Sequence, residues 1–403
     1  MKLKWLAIAF LGSLSAQTHA TVIFSDSNTH LINSSIFEDV RLENGSDLHI
    51  TQGGAIITPA TQTAIYSSSG GASTITLTGN ASVIGGIDYQ AWSNEEDAVI
   101  ANDNTQILGQ GERASGHGQG AVSGARRVEV ADNARLIGAD NATNGGNGID
   151  NTSSGAQIAS IQGGEVIGGE GGQSGGNGID GWIEVVGLDI SGGTIQGGNG
   201  INLGGHGVTT FGTISGTISG GTIIGGSGVT GGDAVTSQQG LNLDISGGGL
   251  LGGDGGMYGG NAITTRYSHD SGNTNSTISG GYFDAGAGLI DDGWLLHLTG
   301  FGHFDITGGL FGYNNSGNGF GIFNNAVVDV YGWDLELNND LLTGYLLDGS
   351  WIETSVTLAY NEFAPQGTLN LINRENFNVP EPGTLLLLMI GVTGMGLIKR
   401  NRV

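Results

Sequence analysis

The stretch LDISGGTIQGG at residues 188–198, with its echo LNLDISGGGLLGG at residues 241–253, decides the fold. In the first, Leu188, Ile190 and Ile195 alternate with small or polar residues around a Gly-Gly break, and in the second Leu241, Leu243, Ile245 and Leu250 do the same. Period-two spacing of aliphatic residues describes short strands with one buried face. Glycine at the breaks permits positive φ and lets one backbone pass close to another.

The same phrase, an apolar anchor followed by Gly-Gly or an equivalent turn, recurs at Ile50, Leu77, Ile100, Val130, Ile161, Ile190, Ile218, Ile245, Ile278, Ile306 and Val330. The intervals are 27, 23, 30, 31, 29, 28, 27, 33, 28 and 24 residues. A single unit cannot bury its own apolar face, whereas stacked units share one core. The repeat therefore predicts an all-β fold, a right-handed parallel β-helix (β-solenoid) of about eleven coils over residues 50–340. At about 4.8 Å per coil the rod is on the order of 50 Å long. Its ends need covers. Residues 21–49 are read as an N-terminal cap. Residues 341–373, where glycine thins and WIETSVTLAY and GTLNLIN alternate, are read as C-terminal capping strands, and residues 374–379 as a linker.

Of 403 residues, 80 are Gly, 4 Pro and none Cys. Collagen is excluded, because glycine does not fall at every third position. Disorder is disfavoured, since 37% of residues are hydrophobic and only 12% charged. Without cysteine there is no disulfide, zinc-thiolate or Cys-nucleophile chemistry. The formal charge is −25, and residues 21–379 hold 7 Arg, no Lys and 36 carboxylates. Nucleic acid is not an expected partner, because phosphate contact needs clustered cations.

Both ends read as addresses. Residues 1–20, MKLKWLAIAFLGSLSAQTHA, have Lys2 and Lys4, an apolar run and a small-residue end, the pattern of a secretory signal peptide cleaved after Ala20. Residues 380–403 combine Pro380-Glu381-Pro382, an apolar segment at 384–398 and the cations Lys399, Arg400 and Arg402. At about 1.5 Å per residue the apolar segment covers some 22 Å as a helix, enough for a transmembrane segment if flanking cations snorkel. The basic tail then stays on the cytoplasmic side. This tripartite end resembles the PEP-CTERM sorting signal of Gram-negative surface proteins. The resemblance implies an exosortase partner, cleavage near Pro380-Glu381-Pro382 and transient residence in the inner membrane. It further implies delivery to the cell surface or to an exopolysaccharide-rich biofilm matrix.

Several motifs bear on chemistry. GGNGID at residues 145–150 and 175–180, with GGNGIN at 197–202, matches the start of a calcium-binding nonapeptide. Asp150 and Asp180 are thus calcium candidates, although copies 30 and 22 residues apart suit a stacked turn ladder better. No other cofactor is expected. Asp291-Asp292 with the Gly-His-Gly segments around His117 and His206 is similar to pieces of polygalacturonase-type hydrolases, but the order is reversed and no Arg-x-Lys follows. Gly-x-Ser-x-Gly at 172–176 lacks a strand-to-helix elbow. His297 and His303 lack ligand spacing to each other. Fifteen of the 27 aromatic residues lie between positions 282 and 363, either filling wider terminal coils or stacking on sugar rings. The expected function is a non-catalytic structural or adhesive surface protein that contacts extracellular polysaccharide. The alternative is a β-helix polysaccharide lyase or hydrolase.

Overall fold

The computed structural model describes residues 20–374, apart from 60–61, 69–70, 91–96, 114–115, 152–156, 182–185, 269–273, 313–317 and 359–365. The signal peptide, the transmembrane sorting helix and the sites at Pro380, Glu381, Pro382, Lys399, Arg400 and Arg402 lie outside the described residues. Among the described residues no helix is long and apolar enough to cross a membrane.

The chain winds as an all-β parallel solenoid of about nine turns. In each of these turns one strand goes to each of three parallel ladders. The first runs from Thr21–Phe24 through Ile149–Asn151 and Val208–Thr210 to Phe320–Phe323. The second runs from Thr29–Ile32 through Val186–Ile190 to Thr368–Asn373, and the third from Ser35–Ile36 through Thr194–Gln196 to Gly249–Leu251.

Alternation along each strand puts one side chain in two into the core, where it stacks on its equivalent in the next turn. The second ladder carries the anchors, stacked in the order Ile50, Leu77, Ala101, Val130, Ile161, Ile190, Ile218, Ile245, Ile278, Ile306 and Val330. Ile32 precedes this column and Leu371 follows it. The reading placed Ile100 in the column. The structure puts Ala101 there, paired with Leu77 and Val130, while Ile100 lies between Thr76 and Glu129 on the outer face. A methyl group suffices at that turn because Leu77 and Val130 fill the space on either side, and both are fully buried.

The expectation of eleven like coils is corrected to about nine. After Gly249–Leu251 the third corner is lost, and the ten-residue strand Asn275–Asp284 pairs with both Gly240–Ile245 and Gly249–Leu251. Counting anchors follows second-ladder rungs alone and cannot see whether a third strand still exists. Residues 21–49 are not a separate cap. Thr21 pairs with Asp39 and Thr29 with Asp47 in the same parallel registers as every later turn. At the other end Val327–Asn338, Leu341–Leu346 and Trp351–Thr357 form an antiparallel meander, and Thr368–Asn373 adds the last parallel rung. Phe283, Phe304, Phe320 and Phe323 are fully buried there. Phe311 stacks on Phe283 at 4.9 Å and meets Phe320 edge-on at 5.2 Å.

Candidate binding surfaces

Two glycine columns shape the outer surface. At the end of a third-ladder strand such as Glu165–Ile167 the chain passes through Gly168-Gly169, juts out as the loop 170–174, and returns through Gly175-Gly176 to Ile179–Gly181. The neck is closed by a bond from Gly176 N to Gly169 O (2.8 Å). Equivalent bonds join Gly146 to Ala139, Gly205 to Gly198, Gly232 to Gly226, Gly260 to Gly253 and Gly293 to Gly286. Turn to turn the columns are zipped by Gly169 N to Gly146 O and Gly198 N to Gly176 O, each at 2.7 Å. The loops therefore stack into a fin along the rod.

This geometry separates the three GGNG copies. Residues 145–150 and 175–180 occupy the returning corner, where Asp150 pairs with Asp180. The copy at 197–202 sits at the outgoing corner, with Gly198 N bonded to Gly176 O and Gly205 N to Gly198 O. The third member of the returning column is the segment 204–209, in which His206 takes the asparagine position. That position is a ladder of side-chain acceptors. Asn177 N donates to Asn147 Oδ1 (2.8 Å), His206 N to Asn177 Oδ1 (2.8 Å), Asp233 N to His206 Nδ1 (2.9 Å) and Asn261 N to Asp233 Oδ1 (2.8 Å). His206 Nδ1 must be unprotonated to accept, and burial holds this imidazole below the usual histidine range.

The calcium candidates lie on the outer face of the first ladder in the column Asp88, Ser123, Asp150 and Asp180. Asp150 Oδ2 pairs with Arg113 Nη1 at 2.7 Å, and the same guanidinium donates to Ser123 Oγ. Asp180 Oδ2 accepts from Asn147 Nδ2 (3.1 Å) and Asn177 Nδ2 (3.0 Å). These oxygens face N–H donors, whereas calcium takes six to eight oxygen ligands. Loss of solvent, helped by the charge of Asp150, pushes the Asp180 carboxyl up to about 6, and burial raises Asp88 despite Arg113. Because the folded state holds the Asp180 proton more tightly than the unfolded chain, this group favours folding as pH falls from 7 to about 4. Above the folded value its ionisation costs no more than about 3 kcal/mol. Asp180→Asn is expected to raise the melting temperature relative to wild type at pH 7.5, with the gap closing toward pH 4. A gap that does not vary with pH would show that Asp180 is not the titrating group.

The hydrolase-like pieces are dispersed. His117 and Asp291 share one fin column, separated by Asn144, Ser174, Leu203, Thr230 and Tyr258. Six rungs amount to roughly 29 Å, too far for His117 to share a site with Asp291. Asp291 Oδ1 accepts from Asn318 Nδ2 and Asp292 Oδ1 from Gly288 N. Ser174 of the Gly-x-Ser-x-Gly match is a fin residue with no helix after it.

Three surfaces remain open for binding. On the outer face of the second ladder Asp189, Thr217, Asp244, Thr277, Asp305, Asp329 and Asn370 form one column. Thr217 Oγ1 donates to Asp189 Oδ1 (3.2 Å) and Thr277 Oγ1 to Asp244 Oδ1 (2.6 Å). At the foot of the fin an open groove of about 280 Å³ is lined by Gln196, Asn199, Ser227, Asp254 and Asp284. On the closing meander Tyr345 and Trp351 face each other across the strands, their rings 4.9 Å apart and 47% and 48% exposed. The structure thus divides the aromatic cluster: Phe283, Phe304, Phe320 and Phe323 fill the core, whereas Tyr282, Phe301, Tyr345 and Trp351 face out. One grouping escaped the sequence reading, the close approach of His303 to Asp305 and Asp329. The available signal was the Asp that precedes the anchor in FDI and in VDV.

The molecule is an all-β parallel β-solenoid of about nine turns. Its C-terminal residues 378–402 match the family described as the PEP-CTERM protein-sorting motif. The motif implies exosortase processing, and proteins that carry it are exported and sorted by an exosortase to the cell surface. Comparison with curated proteins and with solved structures gives no match.

Proposed function

We propose that this chain is a non-catalytic structural or adhesive rod of the cell surface or biofilm matrix, and that it holds extracellular polysaccharide. The exposed Tyr345–Trp351 pair carries this reading. Two exposed rings held across an antiparallel ladder and inclined at 70° to each other form an apolar notch with polar edges, and Trp351 Nε1 lies 3.3 Å from Glu353 Oε2. Such a surface suits the apolar face of a sugar ring, whose hydroxyls then meet polar neighbours. The groove lined by Gln196, Asn199, Ser227 and Asp254 offers hydroxyl and carboxylate partners along the same rod.

The test is co-sedimentation of the protein with the exopolysaccharide of its host, scored alongside release of new reducing or unsaturated ends. The expected result is binding without cleavage, weakened at least about tenfold in the Tyr345→Ala, Trp351→Ala double variant, since two stacked rings contribute about 1–3 kcal/mol. Cleavage that disappears in Asp291→Asn or Asp292→Asn would establish the lyase or hydrolase reading instead.

A further inference from the structure

We infer that His303, Asp305 and Asp329 form a first-row divalent metal site, of the kind that takes Zn²⁺, which staples the last parallel turns together. This inference is independent of the polysaccharide reading.

His303 and Asp305 stand two residues apart on the strand His303–Phe311 and so share its outer face. Asp329 lies beside Asp305 on the adjacent rung Val327–Asn338. His303 Nε2 is 3.1 Å from Asp329 Oδ2 and 3.6 Å from Asp305 Oδ1, and the three ligand atoms all lie within 4.8 Å of one another. A tetrahedral ion with ligands about 2.0–2.2 Å away separates them from each other by roughly 3.3–3.6 Å. The two distances from His303 lie within a few tenths of an ångström of that cage, and the two carboxylates, no more than 4.8 Å apart, can close on an ion between them.

A second observation points at a ligand. Nε2 of His303 is closed to solvent and makes no hydrogen bond, although two carboxylates surround it. A buried ring nitrogen without a partner is costly, and coordination would satisfy it. The carboxylates are also held in place. Asn370 Nδ2 donates to Asp329 Oδ1 (2.7 Å), leaving Oδ2 toward the histidine, and Tyr331 OH donates to Asp305 Oδ1 (3.1 Å). Outer hydrogen bonds of this sort orient ligands at metal sites. Among the described residues neither aspartate pairs with Arg or Lys, so the local negative charge is open to a cation. The imidazole selects against Ca²⁺ and Mg²⁺, which prefer oxygen-only shells. The three side chains remain 16–36% exposed, which leaves room for water in the fourth position.

The ion would bridge two adjacent rungs, and Asn370 extends the connection to the final strand Thr368–Asn373. That is where the ladder ends and an edge needs holding.

The test uses the full chain in detergent, stripped of metal by a chelator and titrated with Zn²⁺ against a chromophoric competitor. The expected result is one tight equivalent per chain, weakened at least about tenfold in both His303→Gln and Asp329→Asn. Co²⁺ is expected to give the intense visible bands of a tetrahedral site in wild type alone, and Zn²⁺ to raise only the wild-type melting temperature by several degrees. Variants that melt like metal-free wild type exclude misfolding as the cause, and Asp305→Asn replaces either variant that does not. Unchanged Zn²⁺ affinity in the variants, or equal displacement by Ca²⁺, would show diffuse binding to an acidic surface and overturn the site.

Discussion

Gly176→Ala is expected to unfold the solenoid around its middle turns, at a cost of at least about 3 kcal/mol, whereas Gly249→Ala is expected to be neutral or stabilising by up to about 1 kcal/mol. The contrast isolates what glycine does in this fold. A Cβ on Gly176 would lie 2.0 Å from Gly146 O and 2.6 Å from Gly146 C. The obstacle is backbone of the neighbouring turn, which has no rotamer to yield. The same holds up the column, where a Cβ on Gly205 would meet Gly176 O at 2.0 Å and one on Gly232 would meet Gly205 O at 1.9 Å. One methyl group therefore forces two turns apart, breaks the bond from Gly176 N to Gly169 O, and loosens the Ile179 and Ile149 contact below. In a solenoid each turn contacts only its neighbours, so the damage is local in structure but removes an interface term from overall stability. Gly249 differs because it faces outward beside Thr222, with the nearest atom to an added Cβ at 3.5 Å. Its predecessors in the column are Thr194 and Thr222, which already show that a side chain fits. Urea unfolding of both variants and wild type is the measurement. A loss below about 1 kcal/mol at Gly176 would mean that the backbone columns are not in the close contact described.

The same residues show how much was legible in the sequence. The anchors from Val130 through Val330 share one inner column because period-two patterning and a turn after each anchor fix which side chains point inward.

 Ile161, Ile190, Ile218, Ile245, Ile278 and Ile306 follow Val130 in that column without a break. Ile100 misled because it is the larger apolar residue of its pair. Only the register with Leu77 and Val130 reveals that Ala101 is the inward one. The two Gly-Gly corners of each turn are alike in composition, so GGNG at 197–200 could not be told from GGNG at 145–148 without knowing which strand precedes it. The fin was hidden for the same reason. The His303 cluster needs Asp329, 24 residues beyond Asp305, which reaches His303 only through the pairing of Asp305 with Asp329. The split of the aromatic residues follows parity in the strands, as Phe304 shares the inward face of Ile306. Tyr345 and Trp351 obey the same parity on the antiparallel meander, where Leu342, Leu346 and Ile352 take the inward positions.

Replacing Pro380, Glu381 and Pro382 together by Ala is expected to abolish release of the chain from the membrane, the largest effect predicted for any change in this protein. The measurement is fractionation of the native host with one tag just after Ala20 and another at Val403. In wild type the N-terminal tag is expected at the surface or in the matrix without the C-terminal tag, and in the Ala variant both tags remain together in the membrane. The physical basis lies in the order of parts. Pro380 and Pro382 lack backbone N–H donors, which would suit an extended protease substrate, and the apolar run at 384–398 with Lys399, Arg400 and Arg402 is the expected membrane anchor. The fold adds a constraint of distance. The last rung ends at Asn373, and residues 374–379 separate it from the motif. Fully extended, such a linker reaches only about 20 Å. If the apolar segment anchors the precursor, the closing end of the rod is held near the membrane surface before cleavage, and the exosortase is expected to act within that gap. Deleting residues 375–378 is expected to slow processing while leaving the melting temperature of the solenoid unchanged. Co-retention of both tags in wild type as well as in the Ala variant would make the tail a simple anchor and remove the main support for a released matrix rod.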